Sequence, residues 1–171
     1  MIMKKYILMI ASLLTLGMAA VSCDTMTNEP EGGNQIGPMA GNWVVTLEAL
    51  DENGKVVDDD PYGASGAIIE INTFANTNGD TDKMWFSDQA FWGLMFQVPV
   101  NKNDNTFEAK NVPYDQNETG NVTIKGKVLP KAGKNIHGLP VDSIYVEASF
   151  DDDDSGLVWR YAGTRYQGFT E

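Results

Sequence analysis

From Trp43 onward, hydrophobic residues recur at every second position, and this alternation constrains the fold more than any other feature of the chain. A period of two sends successive side chains to opposite faces of an extended backbone, as a half-buried β-strand requires. Trp43, Val45, Leu47 and Ala49 form the first such run, with Val44, Thr46 and Glu48 on the other face. Ala67, Ile69 and Ile71 predict a second strand, and Met84 to Ser87 a short third. Trp92, Leu94, Phe96, Val98 and Val100 predict a fourth, with Pro99 on the opposite face near its end, where a missing donor does least harm. Phe107 and Ala109 mark a fifth; Val122, Ile124, Gly126 and Val128 a sixth. Ile144, Val146, Ala148 and Phe150 mark the seventh; Leu157, Trp159, Tyr161 and Gly163 the eighth. Polar segments separate the runs, such as Asn76 to Asp82 and Asp51-Glu52-Asn53-Gly54, whose Asn-Gly pair favours the positive φ angles of tight hairpins. No helical period coincides with a capping signal.

Short antiparallel strands joined by hairpins have two economical arrangements, a closed up-and-down barrel without edges or a β-sandwich. A sandwich needs long crossovers, whereas the longest gap here is Lys131 to Pro140. The sequence therefore predicts an all-β, eight-stranded antiparallel up-and-down barrel, with the sandwich as the alternative. The interior of such a barrel is filled by side chains or holds one small ligand.

Residues before the alternation read as a processing signal. Lys4 and Lys5 precede the apolar run Tyr6 to Ala20, which is short for a spanning helix and suited to a signal peptide. Ala20-Val21-Ser22-Cys23 resembles a bacterial lipobox, with Ala20 where Leu is usual. We expect a lipoprotein signal peptide over residues 1–22, lipidation of Cys23, a flexible tether over 23–39 and the barrel domain over 40–171. Two or more acyl chains on Cys23 would anchor the protein stably where one would be marginal. The expected location is the bacterial envelope, on the outer membrane. A conventional signal peptide cleaved near Ala20, or an uncleaved anchor, is the competing reading. The tether, Asp24 to Pro38, is polar and contains two Pro and three Gly.

Composition narrows the chemistry. In 171 residues, 24 acidic side chains outnumber 12 basic ones, a net charge of −12 that repels phosphate and argues against a nucleic-acid partner. One Cys and one His exclude an internal disulfide framework and cysteine- or histidine-rich metal centres. His137, Ser143 and Asp142 can be written as a Ser-His-Asp set, but alternation turns Asp142 and Ser143 to opposite faces. Asp151 to Asp154 lack the alternating spacing of a calcium loop and read first as a solvated turn. We expect no catalytic residue, metal or cofactor. Aromatic residues are plentiful, and Trp92, Leu94, Phe96, Val146 and Tyr161 are the candidate inward positions for a small apolar ligand; filling a core is the competing use of the same residues.

Several segments together carry a family resemblance. Gly41-Asn42-Trp43 resembles the G-x-W that opens calycin barrels, and Arg160 and Arg165 lie where calycins place an Arg across that Trp. Ala40 to Thr46, Asn72 to Gln89, Lys127 to Ser143 and Arg160 to Phe169 together resemble the Bacteroidota lipoprotein family named lipid-binding putative hydrolase. That resemblance implies a calycin-like barrel and a lipid-like small-molecule ligand, with Trp43 and Arg165 in cation–π contact at the closed end. It supplies no catalytic residue set, so enzymatic activity stays open. The functional expectation is an envelope-anchored barrel that binds an apolar or amphipathic ligand. The alternatives are a hydrolase of envelope lipid or glycan, and a packed scaffold for an unknown envelope protein.

Overall fold

The computed structural model describes residues 34–63, 69–114 and 120–168. The expected signal peptide, Cys23, most of the tether and Ala67 lie outside the described residues. A 3-10 turn, Gly37–Met39, leads into nine strands: β1 (Gly41–Leu50), β2 (Val56–Asp58), β3 (Glu70–Ala75), β4 (Lys83–Asp88), β5 (Leu94–Asn101), β6 (Thr106–Pro113), β7 (Asn121–Lys134), β8 (Pro140–Phe150) and β9 (Val158–Arg165).

Every neighbouring pair is antiparallel, and β1 pairs with both β3 and β9, so eight strands close into a barrel. The closing seam runs without interruption from Trp43 opposite Arg165 to Leu50 opposite Val158. This closure rules out the sandwich. Each of the eight expected strands has an observed counterpart. The ninth, β2, was not anticipated: its three residues are all exposed, and it is held by pairing with the end of β1. Half of the expected gap from Lys131 to Pro140 is also strand. A bulge between Leu129 and Gly133, with Lys131 at φ 55°, breaks the alternation there and hides the continuation of β7.

The inward face is apolar except for the buried Thr73 and Asp88, and its centre is Phe86, with the rings of Phe96, Phe107 and Tyr161 at 5.8, 6.2 and 6.2 Å. The outward face carries a cross-strand row of alternating sign, Glu48, Arg160, Glu147, Lys125 and Glu108, each directly opposite the next on β1, β9, β8, β7 and β6. Arg160 reaches Glu48 at 2.5 Å and Lys125 reaches Glu147 at 2.6 Å. Opposite charges facing each other favour this register over any slipped one.

The segment leading into β1 closes one end of the barrel. Ile36 and Met39, within the expected tether, are fully buried in the same cluster as Trp43. The Trp43 indole N–H donates to Thr73 Oγ1 at 2.8 Å, and the Thr73 hydroxyl donates to the Met39 carbonyl at 2.5 Å. The Arg165 guanidinium lies 4.4 Å from the Trp43 ring centroid and donates to the carbonyls of Ala40 and Pro38, each at 2.5 Å. It also pairs with Asp142 at 3.2 Å. Strand direction puts the 89–93 and 151–157 connections, together with Tyr114 and Gly120, at the opposite end.

Candidate functional site

At that opposite end, the chain turns between β4 and β5 around one carboxylate. Asp88 Oδ1 accepts the backbone N–H groups of Ala90 at 2.8 Å and Phe91 at 3.1 Å, an Asx-type turn. Gly93, at φ 65°, returns the chain into β5. The turn holds Phe91 and Trp92 over the barrel. The other Asp88 oxygen accepts the Tyr161 hydroxyl at 2.7 Å, and both side chains are fully buried. Burial, reinforced by the adjacent Asp88 charge, pushes the Tyr161 phenol well above its ordinary range, so it stays a protonated donor.

Around this pair stands a group of half-buried rings. Trp92 lies 5.0 Å from Phe150, 5.1 Å from Trp159 and 6.0 Å from Tyr161. Tyr62, 55% exposed, sits 5.6 Å from Phe91 and 5.8 Å from Trp159. Tyr114 packs edge-on against Phe150. The polar tips point to the acidic turn: the Trp159 indole N–H donates to Asp153 at 2.9 Å and the Tyr114 hydroxyl to Asp152 at 2.8 Å. The result is an apolar aromatic surface with a polar acidic margin, continuous with the buried interior. Such a surface suits the apolar part of an amphipathic molecule.

The sequence-named positions divide between two depths. Leu94, Phe96, Val146 and Tyr161 point inward and are buried, as strand parity grouped them. Trp92, expected on the fourth strand, instead lies in the bend before β5 and is only half buried. It shares the parity of Leu94 and Phe96, so alternation could not separate it from them. Tyr62, Tyr114 and Asp88 were missed. The turn signal of Ser87-Asp88-Gln89 is readable, but burial of its carboxylate is a tertiary event with no local signature.

The polar residues weighed for catalysis or metal binding take up structural contacts. His137 is exposed on the β7–β8 turn, at the Trp43 end of the barrel. The Asp142 carboxylate is committed to Arg165 and to the Lys131 N–H, 3.0 Å away. The acidic run is spent on separate donors: Asp151 on Asn121, Asp152 on Tyr114, Asp153 on Ser155 and Trp159. Among the described residues, no three metal-ligating side chains converge.

None of the curated proteins matches the chain. Among solved structures, a structural-genomics protein of unknown function from Bacteroides ovatus is similar at 11% identity and a TM-score of 0.45. The alignment covers 77% of this chain and 43% of that one, so the present chain spans less than half of that protein's length. A family model described as lipid-binding putative hydrolase matches residues 28–170, which take in the whole barrel. By that match the chain belongs to the lipid-binding putative hydrolase family.

Proposed function

We propose that the barrel binds one lipid-like molecule at its aromatic end and that lipidation of Cys23 holds it in the bacterial envelope, on the outer membrane. The observation that carries the reading is the half-buried group of Trp92, Phe91, Trp159 and Tyr62 above a continuous apolar interior. The ligand's apolar part lies against Trp92, and Leu94, Phe96, Val146 and Tyr161 form the wall below it. At about 0.8 kcal/mol per buried CH₂, a chain of about ten methylenes supplies roughly 8 kcal/mol, enough for micromolar binding. The acidic margin keeps phosphate-rich partners away. We assign no catalytic residue.

The test is native mass spectrometry of full-length protein made in a lipoprotein-processing host, followed by titration of delipidated protein with a long-chain fatty acid. Diacylated Cys23 and a co-purifying lipid are expected, with quenching of tryptophan fluorescence on titration. Trp92→Ala should weaken binding about tenfold. Unmodified Cys23 overturns the anchoring; no binding to the correctly folded protein at millimolar fatty acid overturns the ligand reading.

A further inference from the structure

The barrel wall has a discontinuity between β5 and β6. These strands share two ladder pairs, Val100 with Phe107 and Asn101 with Thr106, whereas β4 and β5 share six. They meet again where the Met95 N–H donates to the Tyr114 carbonyl at 3.1 Å. Continuing the first register would set Met95 opposite Val112, so the two contacts are out of step by two residues. Both strands carry a cause. The Val100 N–H goes to Asp82 on the β4 side, so odd positions of β5, Met95 among them, direct their N–H groups at β6; Pro99 occupies one of these and has none. On β6, Asn111 sits at φ 51° inside a bulge between Ala109 and Val112, with its N–H turned to Thr123 Oγ1. Phe96 and Ala109, the inward residues flanking the slit, keep 6% and 7% exposure, against 0% for Val146 and Tyr161.

A concavity of about 780 Å³ lies on the outer wall at the lower edge of the slit, with Pro99, Phe107, Gly126, Lys127 and Tyr145 among its lining residues. Phe107 stands between that groove and the interior. Its ring covers Gly126, where an added Cβ would lie 2.1 Å from the ring, and it reaches Phe86 at 6.2 Å. Lys127, exposed at the rim, forms no ion pair among the described residues.

We propose that the slit is a side entrance gated by Phe107, through which the acyl chain of a fatty acid enters and leaves the barrel while its carboxylate rests at Lys127. The inference rests on the lipid-binding reading above and adds the route and the head-group contact. Parting the wall elsewhere breaks several backbone hydrogen bonds, each worth about 1 kcal/mol net. Here the ladder is already absent, and swinging one ring suffices.

Extending the register of Val100 and Phe107 by three residues brings Gln97 and Lys110 to opposite sides of the slit. In the full chain carrying Cys23→Ser, Gln97→Cys and Lys110→Cys are joined by a short bismaleimide, and cis-parinaric acid exchange is followed by stopped-flow fluorescence. Cross-linking should slow association and dissociation together by at least tenfold and leave Kd unchanged. Phe107→Ala should speed both, and Lys127→Ala should weaken binding of the acid but not of its methyl ester. Unchanged rates in the cross-linked protein overturn the entrance while ligand binding stands. Absence of binding before cross-linking overturns both.

Discussion

The Tyr161 hydroxyl on β9 donates to the Asp88 carboxylate at the end of β4, 2.7 Å away, between two fully buried side chains. The same carboxylate caps the turn that presents Phe91 and Trp92. One acidic group therefore ties β9 to the turn that presents the aromatic end, and the Tyr161 ring also meets Trp92 directly at 6.0 Å.

Tyr161→Phe leaves Asp88 Oδ2 buried without its donor, at a cost of about 1–3 kcal/mol in chemical denaturation at neutral pH. The pH dependence has a definite sign. The folded Tyr161 pKa lies above its unfolded value of about 10, so the contribution is complete below that value and falls as pH rises beyond it, where the unfolded chain ionises first. Wild-type stability should drop as pH rises above about 10, and Tyr161→Phe should flatten that drop. Tyr145 is also raised, so a residual slope remains. Parallel pH profiles for the two proteins would refute this.

Gly163 faces the backbone of β1 at the closing seam, and a Cβ there would lie 1.9 Å from the Val44 carbonyl oxygen. No rotamer relieves a clash with backbone. Gly163→Ala should therefore open the β1–β9 seam and cost at least about 3 kcal/mol, at the severe end for a single substitution. Thermal denaturation checks it, and a Tm within a few degrees of wild type would contradict it.

That seam explains what the sequence resemblance was made of. Gly-x-Trp ends on Trp43, and the late R-Y-x-G-x-R contains Gly163 and Arg165; the structure sets Trp43 opposite Arg165 and Val45 opposite Gly163. The glycine, tryptophan and arginine of these two motifs meet at the closure of the barrel. Eight strands were legible because alternation is a local signal enforced at each inward position. The aromatic end was not, because Tyr62, Trp92, Tyr114 and Trp159 come from four separate connections and strand ends and meet only when the barrel closes. Trp92 was misplaced for a narrower reason: the bend at Gly93 preserves its parity with Leu94 while removing it from the strand.

Arg165→Lys should loosen the closed end. The guanidinium serves two carbonyls, Asp142 and the Trp43 face from one rigid plane, which an ammonium cannot copy. Hydrogen bonds to charged groups contribute about 1.5–3 kcal/mol, so a loss of about 2–3 kcal/mol is expected. Hydrogen exchange should rise selectively at residues 36–40, because Ile36 and Met39 are held there. Uniform protection of that segment in the variant would show that apolar packing alone retains it.

Glu147 provides a test of the outer charge row. Burial raises its carboxyl, but the hydrogen bonds from Lys125 and Tyr145, with the Lys125 and Arg160 charges, outweigh this and hold it below its ordinary value of 4.5. A depressed carboxyl contributes stability above that value and loses it as pH falls through the folded pKa. Lys125→Met should raise the Glu147 titration midpoint in carboxyl-detected NMR and weaken the acid sensitivity of folding. The effect at neutral pH should stay below about 1 kcal/mol, because Lys125 is largely exposed, and should shrink further in 0.5 M salt. An unmoved Glu147 midpoint would mean that the Tyr145 hydroxyl and Arg160 hold the carboxylate without the lysine.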